Sequence, residues 1–141
     1  TRAYFKNMAE RKSGVIICIC GLGGEKLEFG YIAGAAGNAS LMAFARAMGG
    51  RSPDYGVRVL AVNPGPVLTD RIEFLGRTRA KRELGDENRY MEGFKHMPYG
   101  RPATVEEVSP MVVFLASPLS NYISGTVVTI DGGIANRSAN A

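Results

Sequence analysis

The chain has 141 residues, of which 45% are hydrophobic and 21% charged, and its formal net charge is +4. These values are typical of one globular domain and exclude a disordered or fibrous chain. No apolar run approaches the roughly 20 residues of a membrane-spanning helix, and the first residues lack the apolar core of a signal peptide. We therefore expect a cytoplasmic domain that has no membrane partner.

The first part of the chain predicts a helix followed by a buried strand. Apolar side chains recur at helical spacing within residues 1–12, and charged residues occupy the other faces. Ser13 and Gly14 are expected to end this helix. The next run, residues 15–20, is apolar without alternation, which is typical of a strand that is buried on both faces of a parallel sheet.

The middle of the chain is organised around a helix of small residues. A glycine-rich loop (residues 21–30) leads into residues 31–49, which are almost entirely apolar and begin with Tyr31. A helix without a polar face is expected to be buried on most sides. A second apolar run at 57–62 predicts another strand, and residues 63–70, here called the wall loop, follow at its carboxyl end.

The last part of the chain predicts three helical segments and one strand. Thr104 and Glu107 have the spacing of a capping box, which marks the start of the last helix. The predicted segments are 71–83, 87–95 and 104–116 for the helices, 126–130 for the strand and 134–141 for a tail.

The alternation of strands and helices indicates an α/β protein with a doubly wound parallel sheet. Three strands make a thin sheet for such a fold, and the first helix starts abruptly. We therefore expect residues 1–141 to form part of one larger domain.

The cysteines and the histidine do not predict a metal site. Cys18 and Cys20 lie two positions apart on a predicted strand, so their side chains point to one face and are badly placed to bond to each other. We expect buried, reduced thiols in a reducing compartment. Two thiols and His96, the one histidine of the chain, do not make a ligand set.

Basic residues cluster at one place in the sequence, where they are interleaved with Glu73 and Glu83. We interpret the cluster as the solvated face of a helix, because no nucleic-acid-binding motif accompanies it. No nucleic-acid partner is expected. Its members are Arg71, Arg77, Arg79, Lys81 and Arg82.

Several short motifs follow one another in an order that is more specific than any one of them. They are the tyrosine-led helix, Asn63-Pro64-Gly65 with Thr69, Gly100-Arg101-Pro102 before the capping box, Phe114-Leu115-Ala116-Ser117, and Gly125 with Asp131-Gly132-Gly133. Over nearly its whole length the chain thus resembles the C-terminal half of a short-chain dehydrogenase/reductase. The resemblance implies a Rossmann-like fold, without the N-terminal βαβ units that bind the cofactor pyrophosphate, and a partial domain over residues 1–141.

The same resemblance implies an oxidoreductase that moves a hydride between NAD or NADP and a carbonyl or alcohol substrate. It makes Tyr31 the catalytic tyrosine, which exchanges a proton with the substrate oxygen. In the family a serine binds that oxygen, and a lysine four residues after the tyrosine lowers the tyrosine pKa and holds the nicotinamide ribose. A phenol titrates near ~10, so a nearby cation is needed to make it a base at neutral pH.

This chain departs from the family pattern at two of the three catalytic positions. The lysine position is Ala35, and the serine position falls at or near Gly21. Tyr31 is then expected to stay protonated, able to donate a proton but a poor base. Lys26 in the glycine-rich loop is a candidate for the missing cation. The alternative for Tyr31 is an interfacial or core tyrosine at the start of a helix.

The resemblance also assigns a cofactor wall. Thr69 would bond the nicotinamide carboxamide, while Pro64, Gly65 and the Val67 backbone would shape the surface beside it. Thr69 is equally suited to cap the following helix. The two interpretations are compatible, because ligands bind at the carboxyl ends of strands in open α/β sheets.

Residues 71–100 correspond to the variable substrate-binding lid of the family, here called the lid segment. Its apolar side chains indicate an uncharged or partly apolar substrate, unless they only pack two amphipathic helices. The 31–49 helix and the Asp131-Gly132-Gly133 turn imply a homodimer or homotetramer. His96 is expected at the surface or in the lid. The apolar candidates are Ile72, Phe74, Leu75, Tyr90, Met91, Phe94 and Met97.

Two functions of different classes remain open from the sequence. One is the oxidoreductase, which the wall loop favours. The other is a catalytically degenerate binding or scaffold protein that keeps the fold, which Gly21 and Ala35 favour.

Overall fold

The structure, a computed structural model, describes residues 1–138 and has an α/β fold built on a parallel sheet. Within these residues the sheet has three strands in the order β1-β2-β3. The predicted class is therefore confirmed. The strands are β1 at Gly14–Ile19, β2 at Val57–Pro64 and β3 at Val127–Ile130.

Four α-helices and several short 3₁₀ turns connect or flank the strands in the described part of the chain. Helix α3 and the long 3₁₀ segment Glu87–Phe94 match the two predicted helical pieces. Of the predicted tail, the structure describes a 3₁₀ turn at Ile134–Asn136, and residues 139–141 lie outside the described residues. The helices are α1 at Arg2–Glu10, α2 at Ile32–Arg51, α3 at Asp70–Leu84 and α4 at Val105–Ala116.

The core lies on both faces of β2, whose side chains alternate between two clusters. On one face Ala61 packs with Cys20, Met42 and Ala45, the last two from α2. On the other face Leu60 and Val62 pack with Leu115 of α4. One helix therefore covers each face of the sheet, as the doubly wound arrangement requires.

Strand β1 is less buried than the sequence predicts. Its residues are half-buried, and Ile19 is 54% exposed. The prediction of burial on both faces is wrong within this chain, because β1 has only one neighbouring strand, β2, in the described sheet.

The prediction that the small-residue helix is buried on most sides also needs correction. Four residues of α2 are buried, namely Ala35, Met42, Ala45 and Gly49, and they form one stripe against the sheet. Ile32 and Leu41 are exposed on the two flanks of this stripe, and the face opposite it exposes the small residues Ala36, Ala43 and Ala47. Apolar composition predicted this helix correctly but could not show how much of it faces water.

The cysteines behave as small core residues. Cys20 is buried, Cys18 packs against the same cluster, and both thiols are free. Burial, with a smaller contribution from Cys18, raises the pKa of the Cys20 thiol. Among the helices of residues 1–138, none is both long and apolar enough to cross a bilayer.

Helix α2 packs closely against β2 at Gly49, and a substitution there can test this close packing. A Cβ atom at position 49 would overlap the Val59 carbonyl oxygen and the Gly125 backbone, whereas one at Gly50 would meet nothing within 4 Å. We expect Gly49→Ala to lower the free energy of unfolding by about 1–3 kcal/mol or more, because backbone atoms must move apart.

Gly50→Ala is the matched control for this substitution. It is expected to leave stability unchanged or raise it by up to about 1 kcal/mol, since alanine favours the helix. Urea titration followed by circular dichroism measures both variants. Equal stabilities for the two would contradict the close approach of α2 to β2.

The start of α4 is held by the predicted capping box and by an added arginine. The Thr104 backbone N–H donates to the Glu107 carboxylate at 2.8 Å, and the Arg101 guanidinium donates to both of its oxygens, each at 2.8 Å. The Arg101 hydrogen bonds, followed by the Thr104 bond, lower the pKa of Glu107 to about 2.

This depressed pKa gives the stability a defined dependence on pH. The contribution of Glu107 is fully present above the ordinary value of 4.5 and is lost as pH falls through about 2. Glu107→Gln should therefore lower the melting temperature at neutral pH, and the difference from the unsubstituted chain should shrink as pH falls below 4.5. Glu106→Gln, which removes the same charge from the same helical turn but leaves the Arg101–Glu107 pair intact, is the matched control.

Candidate functional site

A cleft of about 720 Å³ lies at the carboxyl ends of β1 and β2. Its walls come from the glycine-rich loop, the start of α2, the wall loop, residues 96–98 and the segment around Arg137. All predicted site residues line it: Tyr31, Pro64, Gly65, Val67 and Thr69, together with Gly21 and Lys26. The structure thus brings these residues together, while their roles stay predictions.

Tyr31 lies immediately before α2, and its ring is seated on two glycines. A Cβ atom at Gly34 would overlap the ring at Cζ, and one at Gly23 would lie 2.7 Å from Cε1. The ring therefore packs between the glycine-rich loop and the first turn of the helix. The side chain is still 51% exposed, so it is accessible from the cleft.

The position four residues after Tyr31 is buried. Ala35 lies in the stripe of α2 that faces the sheet. Beyond it, Asn38 lines the cleft, donates from Nδ2 to the Gly34 carbonyl oxygen at 2.8 Å, and lies next to Gly21. Sequence analysis missed Asn38, although an amide within an otherwise apolar helix was a signal for it.

The wall loop leaves backbone polar groups of Val67 free to face the cleft. Val67 forms a parallel bridge with Ala103, in which Leu68 N–H donates to Ala103 and Ala103 N–H donates to Pro66. Because N–H and C=O groups alternate in direction along an extended chain, those of Val67 point away from Ala103. Within residues 1–138 neither group has a backbone partner.

Thr69 occupies the N-cap position of α3, as the alternative interpretation expected. Its carbonyl oxygen accepts the Glu73 N–H at 2.9 Å, but its hydroxyl makes no capping hydrogen bond. The hydroxyl is therefore not used to start the helix, although the residue stands where a cap would.

Glu25 anchors the glycine-rich loop to the sheet, a role that the sequence did not reveal. Its carboxylate accepts Asn63 Nδ2 at 2.8 Å and the Thr129 hydroxyl at 3.0 Å. Asn63 is fully buried at the end of β2, and its Oδ1 has no partner within the described residues. Because Glu25 is exposed, solvent weakens these hydrogen bonds below the value of about 1.5–3 kcal/mol for a sheltered bond to a charged group, and together they hold the loop beside the cleft.

Most of the predicted lid residues do not line this cleft. Ile72 and Met97 do, and His96 lies exposed beside them. Tyr90 and Phe94 pack edge to face against each other and border a separate cavity beneath α3. Phe74 and Leu75 are exposed. Ordinary packing, the alternative left open by the sequence, therefore accounts for Tyr90 and Phe94, whereas Met91 is exposed like Phe74 and Leu75.

The predicted basic cluster separates into two groups. Arg77 pairs with Glu73, and Arg79 and Arg82 pair with Glu83, as expected of a solvated helix face. Arg71 instead lines the cleft. Among residues 1–138 no group of three histidine, cysteine, aspartate or glutamate side chains is close enough to hold a metal ion.

Comparison with known proteins gives the family. The sequence model of the enoyl-(acyl carrier protein) reductase family matches residues 1–135. The 3-oxoacyl-[acyl-carrier-protein] reductase FabG of Chlamydia muridarum is 32% identical over 133 residues, which are 94% of this chain and 50% of that protein. The chain belongs to the short-chain dehydrogenase/reductase family, as the sequence motifs indicated.

Solved structures agree with this assignment. L-sorbose reductase from Gluconobacter frateurii, complexed with NADPH and L-sorbose, matches with a TM-score of 0.88 at 26% identity, over 97% of this chain and 53% of that one. An NADPH-bound short-chain oxidoreductase from Pseudomonas aeruginosa PAO1, which contains an atypical catalytic center, matches with a TM-score of 0.78 at 26% identity, over 97% and 52%. The chain spans about half the length of these relatives.

The packing of the Tyr31 ring on Gly23 and Gly34, here called the glycine seat, can be tested by substitution. Gly34→Ala should displace the ring, because the new methyl group would occupy its place. Gly37→Ala, three residues further along α2, places a methyl group in open space and should leave the ring where it is. NMR chemical shifts of ring-labelled tyrosine distinguish these outcomes. An unchanged Tyr31 resonance in Gly34→Ala would contradict the seat.

Proposed function

We propose that the protein is an NAD(P)-dependent oxidoreductase that transfers a hydride between the nicotinamide and a carbonyl or alcohol substrate. The observation that supports this most is the cleft itself, which joins Tyr31 to the wall loop at the carboxyl ends of the strands. Ligands of open α/β sheets bind at such ends. Membership of an oxidoreductase family agrees with it.

The residues of the wall loop suit a nicotinamide carboxamide. An amide needs one acceptor and one donor, and Val67 has a C=O and an N–H that the bridge to Ala103 does not use. The Thr69 hydroxyl, which makes no capping bond, is a third polar group on the same loop. Gly65 lets the wall loop pack closely against Asp131, since a Cβ there would lie 3.0 Å from the Asp131 side chain.

A bound reduced nicotinamide would supply the hydride to the carbonyl carbon. Tyr31 would donate its hydroxyl proton to the carbonyl oxygen, and hydride and proton together convert the carbonyl to an alcohol. With Ala35 in the lysine position, the nearest candidate cation on the loop side of the cleft is Lys26. The proposed test therefore runs in the direction of reduction, in which Tyr31 acts as the proton donor.

The second candidate is a degenerate member that binds the cofactor without turnover. Gly21 and the buried Ala35 favour it, since two of the family's catalytic groups are replaced by residues without functional side chains. The Pseudomonas aeruginosa oxidoreductase binds NADPH with an atypical catalytic center. Departure from the usual residues is thus compatible with cofactor binding, and turnover is the property that separates the candidates.

The first test is titration of NADH and NADPH into the longest native form of the chain, followed by nicotinamide fluorescence. We expect saturable binding of one of them and reduction of some member of a carbonyl panel. Tyr31→Phe should retain binding and lose about 10²–10⁴-fold in turnover, because it removes only the proton donor. Absence of binding for both cofactors at millimolar concentration would refute the proposal.

Substitution at position 35 separates the two candidates. If the unsubstituted protein is inert and Ala35→Lys creates activity, the site is degenerate. Ala36→Lys adds the same charge at the neighbouring exposed position and should create none. We also propose a cytoplasmic homodimer or homotetramer, for which the exposed small-residue face of α2 at Ala36, Ala43 and Ala47 offers a contact surface.

A further inference from the structure

Three basic side chains from distant parts of the chain line the same cleft. They are Lys26 of the glycine-rich loop, Arg71 of α3 and Arg137 after the last 3₁₀ turn. One carboxylate, that of Glu28, lines the cleft with them. Three cations against one carboxylate leave a formal surplus of two positive charges.

These three cations have no carboxylate partner among residues 1–138, whereas the other basic residues of α3 do. Arg77, Arg79, Lys81 and Arg82 each make an ion pair. In the described range 1–138, no carboxylate oxygen lies within 4.0 Å of a charged nitrogen of Lys26, Arg71 or Arg137. The surplus charge at the cleft is therefore not neutralised by ion pairs among residues 1–138.

One of the three cations is also held in place. Arg137 Nη1 donates to the His96 carbonyl oxygen at 2.8 Å, which fixes its guanidinium against residues 96–98 of the lid segment. Arg71 follows the wall loop directly, at the start of α3. Arg71 therefore belongs to the lid segment, and Arg137 contacts it, so both lie near the part of the family fold that binds substrate. Neither belongs to the N-terminal βαβ unit that binds a dinucleotide pyrophosphate.

We propose that the cleft selects carbonyl substrates that carry a carboxylate or phosphate group, which Arg71, Arg137 and Lys26 bind. This inference rests on the proposed function, and it replaces the uncharged substrate that the apolar lid residues indicated. Only Ile72 and Met97 of that apolar set line the cleft. All three cationic residues are exposed, so their side chains are accessible to an anion in the cleft. Arginine binds carboxylate and phosphate through two parallel hydrogen bonds.

The test compares 4-carboxybenzaldehyde with methyl 4-formylbenzoate, which present the same aldehyde with and without a negative charge. Isothermal titration calorimetry and ligand-observed NMR measure their binding to the longest native form of the chain. We expect the carboxylate to bind roughly tenfold more tightly, and the preference to fall as salt screens the charges. Equal affinities, or binding of neither compound, would overturn the inference.

A matched pair of variants locates the effect. Arg71→Gln should lose most of the preference for the carboxylate, whereas Arg82→Gln, on the exposed part of the same helix, should keep it. The dissociation constant of NADH or NADPH should be unchanged in both. If Arg71→Gln weakens the cofactor and leaves the carboxylate preference intact, the basic residues serve the cofactor and the inference is wrong.

Binding and turnover of the two aldehydes test different proposals: the charge preference tests the anion site, and turnover tests the oxidoreductase. Reduction of both aldehydes without a charge preference would support the oxidoreductase and overturn the anionic substrate class. A charge preference without turnover of either aldehyde would support the anion site and count against the catalytic function.

Discussion

The parallel pairing of β2 with both of its neighbours is the constraint on which the site depends. The register aligns Ile19 with Val62 and Pro64 with Ile130, so the three strands end at one edge of the sheet. The loops that follow β1 and β2 must therefore emerge side by side. One of them carries Tyr31 and the other is the wall loop, and their meeting creates the cleft.

Strand ends alone do not fix a flexible loop, and here a partly exposed polar contact does so. The Glu25 carboxylate is bound by Asn63 from β2 and by Thr129 from β3. A loop that contains four glycines at positions 21, 23, 24 and 30 loses much conformational entropy on ordering. These hydrogen bonds offset part of that cost and place Lys26, the next residue, along the cleft.

The sequence predicted the elements of the fold well, because apolar runs and a capping box are local signals. It also predicted that Tyr31 and the wall loop share a site, because order along an α/β chain determines which strand ends meet. It left the packing of Tyr90 and Phe94 open as an alternative, and it did not predict the half-exposed β1 or the anchor at Glu25. These last two depend on which residues face each other across long separations, as Asn63 and Glu25 do, and hydrophobic periodicity contains no such information.

The wall of the cleft and its chemistry depend on different parts of the structure. The outward direction of the Val67 N–H and C=O follows from the bridge to Ala103, so any chain with this fold retains it. The orientation of Tyr31 depends instead on two glycines, Gly23 and Gly34, which are local to this sequence. Under the proposed function, turnover would depend on how the glycine seat holds the tyrosine. The two functional candidates consequently differ at the positions around Tyr31, where the family resemblance aligns Gly21 and Ala35 with its serine and lysine.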